Sequence, residues 1–182
     1  MINRTLPLPA ILVGVLALGM LPALGQIEFD FMPDGGRGLL ARLVGEQPTE
    51  LAAIAGEQRD MAGWRDYLAG RGDLTETELE TLAGYLSVNF PLDANTLQAD
   101  GALLAALPPD GKELAIANCQ FCHSIFSGYL MQDRDAQGWR STFQSPFHSE
   151  LAMSPKERET FVLYSATNMP LAYEDVPPEL RF

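Results

Sequence analysis

The sequence predicts an all-α protein built from two tandem helical units, and three observations carry that expectation. Helix-start signals stand just ahead of apolar runs with helical spacing, no strand-like alternation leads into the chain's cysteine pair, and a stretch of the second half repeats one in the first. A chain of 182 residues has room for one medium domain or two small ones with a real core. Thirteen prolines and sixteen glycines in a 47% hydrophobic chain point to short elements joined by many turns, not to disorder.

Residues 1–25 read as a targeting segment. Arg4 supplies a positive start, Ile11 to Leu24 an apolar stretch, and Ala23 with Gly25 a small-residue exit, so export is expected, with cleavage near Gln26. The competing reading is a retained membrane anchor, since no charge falls between Arg4 and Glu28; Pro7, Pro9 and Pro22 weaken a helix there. The chain carries a net charge of −12, which speaks against nucleic acid as a partner and suits a solvated surface or an acidic face for a basic protein.

The repeat sets the expected boundaries, 26–100 and 101–182. "LTETELETLAGYLSVNFPL" from Leu74 aligns without gaps to "MSPKERETFVLYSATNMPL" from Met153, with seven of nineteen positions identical. Upstream, "PDG" recurs at Pro33 and Pro109 and "GWR" at Gly63 and Gly138. Asp110 opens a helix over "GKELAIAN". Thr75 with Glu78 and Ser154 with Glu157 fit capping boxes, and Pro155 suits a first helical position. Leu79, Leu82 and Leu86 in the first unit, and Phe161, Tyr164 and Ser165 in the second, trace the inward stripe. Trp64 and Trp139 are expected as core aromatics at equivalent places, and the tail from Ala172 as an extended arm wrapping the body or a partner.

The chemistry concentrates in "CQFCH", which holds both cysteines, Cys119 and Cys122, followed at once by His123. Structural zinc needs four ligands, and the chain offers two cysteines and two histidines in all. A redox disulfide of thioredoxin type belongs after a strand in a βαβ unit, whereas a helix leads into this pair. Covalent haem explains each residue, with a disulfide or a chance match as the alternative: two thiols at this spacing form thioethers with the two vinyl groups, and the adjacent imidazole ligates the iron. Carrying the "PDG" alignment forward sets Leu43, Glu46 and Gln47 against Cys119, Cys122 and His123, so the first unit is expected to hold no haem.

With the "PDG" helix, CxxCH, a tryptophan and a capped last helix in that order, the chain resembles the bacterial class I c-type cytochromes, in particular cytochrome subunits of periplasmic dehydrogenases such as those serving sulfite dehydrogenases. The resemblance spans residues 30 to 171, and CxxCH is its specific motif. It implies two tandem cytochrome c-like helical domains, the first degenerate and haemless, one covalent haem c, and electron transfer as the activity. It also implies a protein redox partner, either an oxidoreductase subunit or another cytochrome.

His123 is the proximal ligand on this reading, and the distal one is open among His148, Met169, Met153 and Met131. The family's distal methionine lies between the tryptophan and the last helix; seven residues past Trp139 this chain has Pro146 instead. The second unit has four more residues in that window than the first, around "SPFH", and His148 lies 25 residues after His123, near the family's spacing. His148 is therefore the leading candidate and a surface loop histidine its plain alternative. Met169, which aligns with Phe90, ranks second, and Met153 reads as a core residue. Tyr129 and Phe126 are expected to line the haem crevice, with Trp139 at the haem edge. Three function classes stay in play: an electron carrier without catalysis of its own, a haem protein with an open distal site acting as a gas sensor or small-molecule enzyme, and a structural subunit. No set of residues supports hydrolytic catalysis.

Overall fold

The computed structural model describes residues 29–45, 48–93, 106–120 and 122–182; the expected leader, Glu46, Gln47, Phe121 and the junction around residue 100 lie outside the described residues. The described chain is helical, and no strand occurs among the described residues. The helices are α1 (Gly36–Val44), α2 (Pro48–Ala55), α3 (Met61–Leu68), α4 (Glu76–Asn89), α5 (Gly111–Asn118), α6 (Ala136–Thr142), α7 (Pro146–Ser149) and α8 (Pro155–Asn168). A π-helical turn covers Phe126–Leu130, and 3-10 turns cover Tyr173–Asp175 and Pro178–Leu180. Among the described residues no helix is long and apolar enough to cross a membrane.

Local chemistry sets the helix starts. Thr75, Ser154 and Asp110 each accept from the backbone N–H three residues on, while Glu78, Glu157 and Glu113 reach back to the N-cap amide, so all three capping boxes form. Asp60 and Asp135 cap α3 and α6 in the same way through Gly63 and Gly138.

The two long helices, α4 and α8, pack on each other at the centre. α4 also meets α1 and α3, and α8 meets α5 and α6. This placement buries most of the predicted stripe: Leu82, Leu86 and Ser165 are fully enclosed and Phe161 and Tyr164 nearly so, while Leu79 is only partly buried. Polar atoms cross the α4–α8 contact in matched pairs. The Asn89 amide donates to Thr160 Oγ1 and the Asn168 amide to Thr81 Oγ1, both at 2.9 Å, which satisfies buried groups that would otherwise be costly.

The segment ahead of each first helix packs into the opposite half. Phe29 and Met32 join the core around α5, α6 and α8, while Leu107 joins the core around α1, α3 and α4. Tyr164 donates its hydroxyl to Pro33 O and Tyr85 to Pro108 O, each at 2.7 Å. These contacts pair Met32 with Leu107, Pro33 with Pro108 and Gly36 with Gly111, one residue away from the register that "PDG" suggests. Gly36 to Trp64 and Gly111 to Trp139 are then both 28 residues, without a gap. In this register Val44, Gln47 and Pro48, not Leu43, Glu46 and Gln47, stand opposite Cys119, Cys122 and His123.

The register moves because Gly35, not an aspartate, is the N-cap of α1, and it makes no side-chain cap bond. Asp110 supplies the missing oxygen from the other half. Its Oδ1 accepts from Glu113 N at 3.0 Å, and its Oδ2 from Arg37 N at 3.1 Å. A Cβ on Gly35 would lie 2.1 Å from that carboxylate, so glycine is what admits it. One buried carboxylate thus caps two helices. Asp110→Ala is expected to lose both, costing about 1–4 kcal/mol as twice the usual loss per N-cap, read as a lower urea midpoint at unchanged slope.

The tail lies against the body, one of the two courses expected of it, but is not extended throughout. It folds back as two 3-10 turns, with Val176 fully buried in the second half's core, Leu180 packed against it, and Leu171 N donating to Leu130 O.

Candidate functional site

A cavity of about 760 Å3 opens beside α5, the π-helical turn, α6 and the loop that leads into α8. Cys119, Cys122, His123 and His148 all line it. Each arrives on a short, locally specified element. Cys119 closes α5, where its amide donates to Ala115 O, and Cys122 and His123 follow in the turn. His148 sits on α7, a single turn opened by Ser145 with Pro146 at its first position. Trp139, held by the Asp135-capped α6, forms the inner wall with Tyr129 and Phe161; neighbouring ring centroids stand 5.4 to 5.7 Å apart.

The two imidazole ring centroids stand 6.2 Å apart, with the ring planes near perpendicular at 86°. His123 is exposed and lies against Gly128, where a Cβ would come within 2.1 Å of its Nδ1; the absent side chain makes room for the ring. His148 Nδ1 pairs with Ser145 Oγ at 2.9 Å, which leaves Nε2 as the nitrogen free to ligate.

Cys119 and Cys122 are free thiols. Burial pushes the Cys119 thiol up to about 12, so at neutral pH the free thiol stays protonated and is a poor nucleophile. Without strands among the described residues, the pair also lacks the βαβ setting of a thioredoxin-type site. Among the described residues no group of three or more His, Cys, Asp and Glu side chains is placed to hold a metal ion on its own.

The polar atoms of the wall are few. Trp139 Nε1 is buried with no hydrogen-bond partner, and the Arg134 guanidinium stands 5.4 Å from the Trp139 ring centre. Arg134 also donates to Thr142 Oγ1 at 3.0 Å and to Gln132 Oε1 at 2.9 Å. Trp64 Nε1 in the first half is likewise buried without a partner, beneath Arg59.

The methionines are placed differently. Met153 lines the cavity while belonging to the core; Met169 is 6% exposed within that core and, like Met131, is not among the lining residues. Tyr129 lines the cavity as expected. Phe126 instead faces Tyr173 of the tail at 5.9 Å. Sequence reasoning missed Arg134, Gly128, Ser145 and Arg158. A signal existed for the first: "RD" stands before both tryptophans, and Arg59 lies over the Trp64 ring at 5.5 Å just as Arg134 lies over Trp139. In comparison with known proteins, no family model, no curated protein and no solved structure matches the chain.

Proposed function

We propose that the chain is an exported, periplasmic c-type cytochrome with one covalent haem that relays single electrons, formed of two tandem domains of one pattern, 26–100 haemless and 101–182 haem-binding. The observation that carries the reading is one cavity lined by both thiols of a CxxCH sequence and by two imidazoles with centroids 6.2 Å apart. Metal–imidazole bonds of about 2.0–2.1 Å on both sides of one metal, with about 1.1 Å from each nitrogen to its ring centre, separate two centroids by about 6.3 Å. The spacing suits an iron between His123 and His148. The aromatic wall suits a flat apolar macrocycle.

When bound, the haem supplies a one-electron ferric/ferrous couple. Cys119 and Cys122 would tether it as thioethers, His123 and His148 would ligate its iron, and Tyr129, Trp139 and Phe161 would keep water from the inner side. Two imidazoles in place of imidazole and thioether favour the ferric state and lower the potential, because the softer sulfur prefers ferrous iron. The partner on this reading is a redox protein, either an oxidoreductase subunit or another cytochrome. The tandem reading rests on the contacts repeated across α4 and α8, with Asn89 and Asn168, Tyr85 and Tyr164, and Arg59 and Arg134 in matching roles.

Oxidised and reduced spectra test the ligand pair. The ferric protein is expected to lack the weak charge-transfer band that thioether ligation gives at the red end of the visible spectrum, and the ferrous protein to resist carbon monoxide. His148→Met should create that band or open the iron to carbon monoxide, while Met169→Leu should do neither. A His148 variant with an unaltered spectrum would make this histidine a loop residue and remove the low-potential reading.

A further inference from the structure

The segment that delivers His148 has little apolar anchorage of its own. α7 contains no buried residue, Phe147 is 86% exposed, and residues 144 to 150 are exposed or half-buried throughout. Four residues longer than its counterpart in the first half, the segment would on that account wander, yet it presents an imidazole at a fixed distance from His123. Something polar must hold it.

We propose that Arg158, in the first turn of α8, is the positioning residue that holds the His148 segment at the iron, a role that rests on the haem reading above. Its Nη2 donates to Ser149 O at 2.8 Å and Leu151 O at 3.1 Å, and its Nε to Met153 O at 3.2 Å. Three main-chain carbonyls immediately after His148 thus converge on one guanidinium, whose carbon also stands 5.1 Å from the Phe143 ring centre. Backbone bonds continue the tie: Leu151 N donates to His148 O and Ser149 N to Ser145 O. Ser145 Oγ then fixes the ring through Nδ1.

The first half shows what the position is without that task. Leu79, aligned with Arg158 in the capped last helix, is a partly buried leucine packed on the core, and the shorter loop there carries no histidine. A planar fork with fixed donors can serve three carbonyls at once. A lysine ammonium in the same place has no such geometry.

Holoproteins of the unaltered chain, His148→Ala, Arg158→Leu and Arg158→Lys decide the matter, each scored for covalent haem by intact mass, for spin state by visible and EPR spectra, and for carbon monoxide association in the ferrous state. Arg158→Leu is expected to keep its haem mass but become partly high-spin and to bind carbon monoxide roughly tenfold or more faster, as three charge-assisted bonds holding the ligand in place are lost. Arg158→Lys should fall between. An Arg158→Leu holoprotein that matches the unaltered spectrum and stays inert to carbon monoxide overturns the proposal and leaves His148 ligation standing. A His148→Ala protein that matches the unaltered spectrum overturns both. Should Arg158→Leu yield no holoprotein, hydrogen exchange of the amides at 149, 151 and 153 decides: faster exchange in Arg158→Lys supports the clamp, and unchanged exchange rejects it.

Discussion

Cys119→Ala with Cys122→Ala is expected to give a polypeptide whose intact mass contains no haem, whereas the unaltered chain keeps one haem through acid acetone extraction. The expectation is all-or-none because the thiols are the chain's two cysteines and both line the cavity. Single alanine variants should retain one thioether or yield no holoprotein. Stability should fall as well. The cavity is open and its inner wall apolar, so the haem-free variant exposes that wall to water or collapses it, seen as lost near-ultraviolet signal from Trp139 and its neighbours. Retention of haem mass after extraction in the double variant would end the haem c reading.

Gly111→Ala and Gly36→Ala are expected to be the most destabilising single methyl additions in the fold. A Cβ on Gly111 would sit 2.1 Å from Tyr164 Cβ, 2.6 Å from its Cγ and 3.0 Å from Thr160 O; one on Gly36 would sit 2.2 Å from Tyr85 Cβ and 2.4 Å from its Cγ. These are backbone and root atoms of packed helices, not the ends of flexible chains. Relief therefore requires α5 to move from α8, or α1 from α4. The cost should exceed the about 1–3 kcal/mol usual for overpacking, because the shift also strains the hydroxyl bonds of Tyr164 to Pro33 O and Tyr85 to Pro108 O. Gly38→Ala, with nothing within 4 Å of its Cβ, is the control and should be neutral or slightly stabilising in urea unfolding. Equal midpoints for all three variants would show that the helices do not approach this closely.

Much of the site was legible because its signals are local. CxxCH places two thiols and an imidazole together within five residues wherever the chain folds. A capping box needs only positions three apart, so Thr75, Ser154 and Asp110 could be read directly. His148 was a matter of loop length and histidine count, and the cavity wall brings it opposite His123. The reading of Phe126 failed for a related reason. Its neighbour Tyr129 turns inward, but the π-helical turn over Phe126–Leu130 sends Phe126 to Tyr173, a contact with the tail that no short window contains.

The amino-acid sequence by itself determined the helical class, the helix starts, the stripes on α4 and α8, and the grouping of Cys119, Cys122 and His123, since each depends on spacings of a few residues. Tertiary structure alone decided that Phe29 and Met32 complete the second core, that Leu107 completes the first, and that Asp110 caps α1 as well as α5. It also decided that Arg158, where the first half has a leucine, gathers the three carbonyls behind His148. The physical reason is common to these cases. A buried donor or acceptor is satisfied by whatever partner packing brings near it, and identity to a neighbouring motif such as "PDG" carries no information about a partner about seventy residues away or on the other side of a helix crossing.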